Sequence, residues 1–178
     1  MQTARPLRQA GVSLIEMSAT VAIAAVLAGT AVPSFTDTLA RRNLEGITNQ
    51  VATDVLHARS EAVTRNEAVS VSFGEDGGGT CYVLHTGNRG DCSCGSGPAV
   101  CTDGAQELKT AYFANSGKVS VRSNSAAMLF EPVHGTTVPA GTVRIVAANG
   151  AEVRQKISMM GRPQACSPAG SVSGFKPC

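Results

Sequence analysis

The chain has 178 residues, 43% of them hydrophobic but only 4% aromatic, with no tryptophan and a formal net charge of +2. So slight a charge argues against a protein that works by long-range attraction to polyanions. Much of the hydrophobic content sits in one alanine-rich run near the start, which leaves a modest core that needs covalent support.

Residues 1–11 carry Arg5 and Arg8 and no acid, and the apolar run over residues 12–32 that follows holds a single charge, Glu16. As a helix this run is about 31 Å long at about 1.5 Å per residue, the thickness of a bilayer core of roughly 30 Å. A lone carboxylate within a membrane span costs roughly 2.5–3.5 kcal/mol on insertion scales, so one that is kept there calls for a partner. The basic start places the N-terminus in the cytoplasm and exports the rest. A cleaved secretory signal is the competing reading, with a small-residue site near Ala28 and Ala31. Against it stand the length of the run and a charge five residues into it.

Gly11-Val12-Ser13-Leu14-Ile15-Glu16 resembles the cleavage motif of type IV prepilins and pseudopilins. The resemblance implies that a prepilin peptidase cuts after Gly11 and methylates the new N-terminal Val12. It also implies that Glu16 becomes the fifth mature residue and meets the N-terminal amine of a neighbouring subunit in a filament. Val12 stands where phenylalanine is usual in the family. Pro33 falls where the family often has a helix-kinking proline.

Beyond Pro33, the residues Phe35, Leu39, Ile47, Val51, Val55, Ala58 and Ala62 recur at mostly fourfold spacing and predict an amphipathic continuation of the helix to about Arg65. Arg41, Arg42, Glu45, Asn49, Asp54 and Arg59 fall largely elsewhere on it. Pro33 lacks a backbone donor, so a bend is expected there, and two helices separated at that point remain an alternative. The stretch Ala58-Arg59-Ser60-Glu61-Ala62-Val63-Thr64-Arg65-Asn66 is similar to the one that closes the long helix in the branch containing the type II secretion minor pseudopilin H and the FimT/FimU-type minor pilins.

From Glu67 onward the period becomes two. Strands are predicted at 68–73, 81–85, 108–113, 118–122, 128–131, 142–147 and 152–157, with Asn149-Gly150 as a hairpin turn between the last two. Residues 87–104 are rich in glycine and cysteine and read as an exposed loop. The expected fold is α+β: a long N-terminal helix, transmembrane and then amphipathic, packed on an antiparallel sheet or small β-sandwich head, as in pilins. The expected organisation is a cytoplasmic leader at 1–11, a span at 12–32, an amphipathic helix at 33–66 and a periplasmic or extracellular head at 67–178.

Six cysteines lie on the exported side, Cys81, Cys92, Cys94, Cys101, Cys166 and Cys178, an even number that fits three bridges. Cys166 and Cys178 are expected to pair and close the C-terminal tail. Cys92 with Cys94 would make a strained small ring, so each is expected to bond to Cys81 or Cys101. A zinc site is disfavoured, because the intervening spacings of ten, one and six residues do not form two close pairs.

His57, His85 and His134 stand near no nucleophile or carboxylate constellation, and Gly77-Gly78-Gly79 lacks the context of a phosphate loop. No enzyme activity, metal or cofactor is expected. FimT-type pilins are associated with DNA capture through a basic C-terminal Gly-Arg-x-Arg-like motif. Here Gly161-Arg162-Pro163-Gln164 replaces the second arginine with Gln164, while Arg154, Lys156, Arg162 and Lys176 could form a small basic patch. Three or four phosphate contacts would give weak, salt-sensitive binding. The resemblance therefore implies a minor pilin that initiates or tips a type IV pilus. The alternatives are the minor pseudopilin H of a type II secretion system and a DNA-binding pilin of a DNA-uptake pilus. The implied partners are other pilins or pseudopilins through the N-terminal helix, prepilin peptidase, the bacterial inner membrane and, weakly, DNA.

Overall fold

The structure, a computed structural model, describes residues 11–102 and 104–178, leaving aside the side chains of residues 30–34 and 169. Helix α1 runs as one element from Leu14 to Arg65, through Pro33, whose side chain lies outside the described residues. Its start follows from local chemistry. The Ser13 carbonyl accepts the Met17 N–H at 3.1 Å, and Ser13 and Glu16 have the spacing of a capping box. Glu16 lies in the first turn, where the helix dipole favours a carboxylate. The other end is equally local. Asn66 takes a left-handed conformation at φ 53°, and the Glu67 N–H donates back to the Ala62 carbonyl at 3.2 Å. This is the six-to-one bond of a Schellman cap, and asparagine is the usual substitute for glycine in it.

The chain divides into two compact units at Leu39/Ala40. In the first, every side chain described from Gly11 to Gly29 and from Phe35 to Leu39 is exposed, including Leu14, Ile15, Val21, Ile23, Val26 and Leu27. Among the described residues no helix is long and apolar enough to cross a membrane.

Among the described residues the second unit holds the rest of α1 and eleven strands: β1 (Val69–Asp76), β2 (Gly79–Thr86), β3 (Cys92–Ser93), β4 (Val100–Cys101), β5 (Glu107–Ala114), β6 (Val119–Ser123), β7 (Ala127–Phe130), β8 (Thr137–Val138), β9 (Gly141–Ala147), β10 (Glu152–Ile157) and β11 (Pro163–Cys166). They form a five-stranded sheet in the order β5-β2-β1-β7-β8, a four-stranded sheet in the order β11-β10-β9-β6 and a small β3-β4 ribbon, with every pair antiparallel. Asn149-Gly150 lies in the β9–β10 turn, with Gly150 at φ 82°. The region 87–104, expected as an exposed loop, contains the β3-β4 ribbon, and the short strands β8 and β11 are additional to those expected from the sequence.

Both sheets and the helix enclose one core. Leu44, Val51, Val55, Ala58 and Ala62 of α1 pack with Val71, Tyr82, Leu84, Met128 and Phe130 of the larger sheet and Val121, Val143, Ile145 and Val153 of the smaller one. The stripe expected from the sequence is corrected in two respects. Phe35 and Leu39 are 65% and 52% exposed, and Leu44 and Thr48 take the buried positions. Repeated steps of four advance about 40° each and drift around the helix. The buried set 44, 48, 51, 55, 58, 62 alternates steps of four and three and stays on one face.

Candidate functional site

Polar contacts of Gln50, Asp54 and Arg59 join α1 to the sheets within the second unit. Asp54, expected off the apolar face, is only 4% exposed. Its carboxylate accepts the Tyr82 hydroxyl at 2.7 Å and the Lys109 ammonium at 2.6 Å, so it bridges the helix to β2 and β5. Gln50 donates to the Tyr82 oxygen at 3.3 Å. Burial and the adjoining Asp54 carboxylate hold the Tyr82 phenol well above its ordinary range. A turn later, Arg59 Nε donates to the Gly135 carbonyl at 3.1 Å, between β7 and β8. The same side chain lies against Gly161, where an added Cβ would fall 2.8 Å from the Gly135 oxygen and 3.0 Å from Arg59 Cδ. Arg59 of the helix-closing stretch and Gly161 of the Gly-Arg-Pro-Gln segment thus belong to a single junction.

The cysteines form three disulfides, Cys81–Cys94, Cys92–Cys101 and Cys166–Cys178. The first presses the loop onto β1 so closely that a Cβ on Gly74 would lie 3.0 Å from the Cys94 carbonyl oxygen. Asp76 fastens the same loop. Its carboxylate accepts the N–H groups of Gly78 at 2.9 Å, Gly79 at 2.8 Å and Ser96 at 2.7 Å, and the Tyr112 hydroxyl at 3.0 Å. The Gly78 amide, joined by the others and opposed by desolvation, holds the Asp76 carboxyl below its usual range. Between this loop and the end of β7 lies an open cleft of about 560 Å³, lined by Phe73, Gly74, Arg89, Cys94 and Ala126 among others.

The outer face of the smaller sheet is basic. Val121, Val143, Ile145, Val153 and Ile157 point to the core, so their neighbours Arg122, Arg144, Arg154 and Lys156 face outwards. Register places Arg122 opposite Arg144, and Arg144 opposite Arg154. Glu152 accepts both Arg144 (2.9 and 3.0 Å) and Arg154 (2.7 Å), and the Arg144 hydrogen bonds hold its carboxyl below the usual range. Lys156 Nζ reaches the Cys178 carbonyl at 3.1 Å.

Of the residues singled out from the sequence, Gly11 and Val12 precede the helix and Glu16 is exposed in its first turn. Lys156 and Lys176 come together at β10 and the tail, where they line one cleft of about 460 Å³, while Arg154, two residues earlier on β10, pairs with Glu152. Arg162 is exposed in the turn at the end of the β10–β11 hairpin. Arg122 and Arg144 were not singled out. Only strand register brings these residues, from three different strands, into line with Arg154.

The histidines do not converge. His57 lies 4.0 Å from Glu61 on the exposed side of α1, and His134 is exposed in a turn. His85 is fully buried. Its Nδ1 donates to the Thr86 carbonyl and its Nε2 meets the Ser72 hydroxyl, each at 2.9 Å. Both ring nitrogens are thus engaged within the protein.

The profile of the family described as type II transport protein GspH matches residues 48–161, more than half of the chain. The chain belongs to the GspH family. The matched region runs from Thr48 on the buried face of α1 to Gly161, so the helix–sheet junction lies within it. Among solved structures, the GspH-family chain is similar to the type IV minor pilin FimU of Pseudomonas aeruginosa. One crystal form has 20% identity, a TM-score of 0.50 and coverage of 76% of this chain and 96% of that one. A second crystal form has 20% identity, a TM-score of 0.47 and coverage of 74% and 98%. At that identity the likeness is one of fold, α+β with an N-terminal helix on antiparallel sheets. No curated protein matches the sequence.

Proposed function

We propose that this GspH-family protein is a minor pilin, a structural subunit that initiates or tips a type IV pilus and carries out no catalysis. One observation carries the reading. A Gly11-to-Glu16 prepilin motif opens a helix whose apolar side chains described up to Leu39 are all exposed, and the later part of that helix belongs to a GspH-family head. A helix apolar on all sides needs lipid or other helices to cover it. Residues 12–32 hold the subunit in the bacterial inner membrane with residues 1–11 in the cytoplasm and the head at 67–178 in the periplasm. Prepilin peptidase cuts after Gly11 and methylates Val12. Glu16 then pairs with the amine of a neighbouring subunit, removing two charges from the apolar environment together. The three disulfides suit an exported head.

A second reading, the minor pseudopilin of a type II secretion system, is favoured by the description of the matching family. An in-frame deletion in the native host, scored for surface pili and secreted exoproteins, separates the two. Loss of pili with normal secretion supports the pilus, and loss of secretion alone supports the pseudopilus. The processing steps are read on a gel. Gly11→Val should leave an uncleaved precursor, and Glu16→Val should insert but fail to enter the filament. Normal incorporation of Glu16→Val would overturn the role given to that carboxylate.

A further inference from the structure

We propose that the outer face of the four-stranded sheet is a docking surface for an acidic protein segment, one face of a helix presenting successive carboxylates. The geometry is a ladder. Arg122, Arg144 and Arg154 lie directly opposite one another on β6, β9 and β10, with Lys156 in the next outward row. Neighbouring strands are about 4.7–4.9 Å apart, close to the 5–6 Å between side chains four residues apart on a helix. A row of glutamates at that helical spacing therefore meets the row of guanidinium groups in step.

The chain itself demonstrates the chemistry. Glu152 takes Arg144 through Nε and Nη2 together, the fork-to-fork pairing that guanidinium and carboxylate favour. That contact uses two of the five N–H donors of Arg144 and leaves the others for a second acceptor. It also fixes the planes of Arg144 and Arg154 before any partner arrives, which lowers the entropy lost on docking. At the end of the ladder Arg122 pairs with Glu75 at 3.1 Å, but these side chains are 67% and 63% exposed. So exposed a pair is worth little, and an incoming carboxylate can take the place of Glu75.

Charge decides between a carboxylate partner and a phosphate backbone. Glu75 and Glu152 sit among the cations and offset part of their field, and the whole chain carries only +2. Binding to nucleic acid draws its strength from many phosphates neutralised at once, which this face supplies poorly. Short-range bidentate pairing does not depend on a large net charge.

The test uses the full chain in detergent micelles and two labelled probes of equal charge, followed by fluorescence anisotropy near 0.15 M salt. One probe is a synthetic helical peptide with glutamates four residues apart, and the other is an oligothymidylate. The peptide should bind more tightly than the oligonucleotide. The double variant Arg122→Gln/Arg144→Gln should weaken peptide binding about tenfold, the loss of two exposed charge-assisted contacts. The single variant Arg122→Gln, on a mostly exposed side chain, should give part of that loss without disturbing the fold, checked by circular dichroism. Three results overturn the proposal: tighter binding of the oligonucleotide, peptide affinity unchanged in the double variant, or no peptide binding at millimolar concentration.

Discussion

Arg59 and Gly161 occupy one tight junction: the arginine's Cδ would lie 3.0 Å from a Cβ at position 161, while its Nε holds the Gly135 carbonyl at 3.1 Å. Gly161 is at φ 68°, which a side chain disfavours, and its Cβ would also press on the Gly135 backbone oxygen at 2.8 Å. Gly161→Ala is therefore expected to destabilise the head by about 2 kcal/mol, from left-handed strain and the clash together. Urea unfolding followed by circular dichroism measures this; an unchanged midpoint would remove the junction from the forces that seat the helix.

Asp54 and Tyr82 should behave as a coupled pair. Asp54→Ala leaves a buried phenol and an ammonium without their acceptor, and is expected to cost about 2 kcal/mol, since Lys109 is 41% exposed and can turn to water. Tyr82→Phe is expected to cost about 1 kcal/mol. In a double-mutant cycle the two losses should sum to more than the loss in the double variant, because both remove the same hydrogen bond.

Acid should loosen the disulfide loop before it unfolds the head. The Asp76 carboxyl titrates below its ordinary value of 3.8 in the folded state, through the Gly78, Ser96, Tyr112 and Gly79 donors. A lowered carboxyl stabilises the fold above the unfolded value, and that contribution disappears as pH falls through the folded one. Amide exchange at Ser96 and Gly79 should stay protected at pH 5 and open only as the pH falls below the ordinary carboxyl value of 3.8. Asp76→Asn should make this local opening independent of pH in that range.

The three bridges should differ in their resistance to reductant. Cys81 is fully buried and Cys92 nearly so, whereas Cys178 is exposed in the tail. Access controls attack by a thiolate, so brief dithiothreitol treatment followed by alkylation and mass spectrometry should label Cys166 and Cys178 first. Replacing both Cys81 and Cys94 by alanine removes a bridge across a sequence separation of 13, expected to be worth about 3 kcal/mol.

Much of this architecture is legible in short stretches of chain. Alternation at Val69, Val71 and Phe73 marks a strand because successive side chains leave a sheet on opposite faces. Asn66 and Asn149-Gly150 stop a helix and turn a hairpin through backbone conformations that need only those residues. The strands β3, β4, β8 and β11 were not legible, being two to four residues long, too short for a period of two to show.

The candidate surface divides in the same way. Lys156 and Lys176 stand out as cations near the tail, but nothing local announces that Arg122 and Arg144 join Arg154 in one row. By itself the sequence determined the apolar run with its single Glu16, the end of the long helix, most of the strands and the supply of paired cysteines. All of these follow from the chemistry of residues a few positions apart. The tertiary structure alone decided the burial of Asp54 under Tyr82 and Lys109, the pairing of Cys81 with Cys94 and the arginine ladder. The first joins residues brought together only when the helix closes on the sheet, the second only when the loop folds onto β2, and in the third strand register sets which side chains meet.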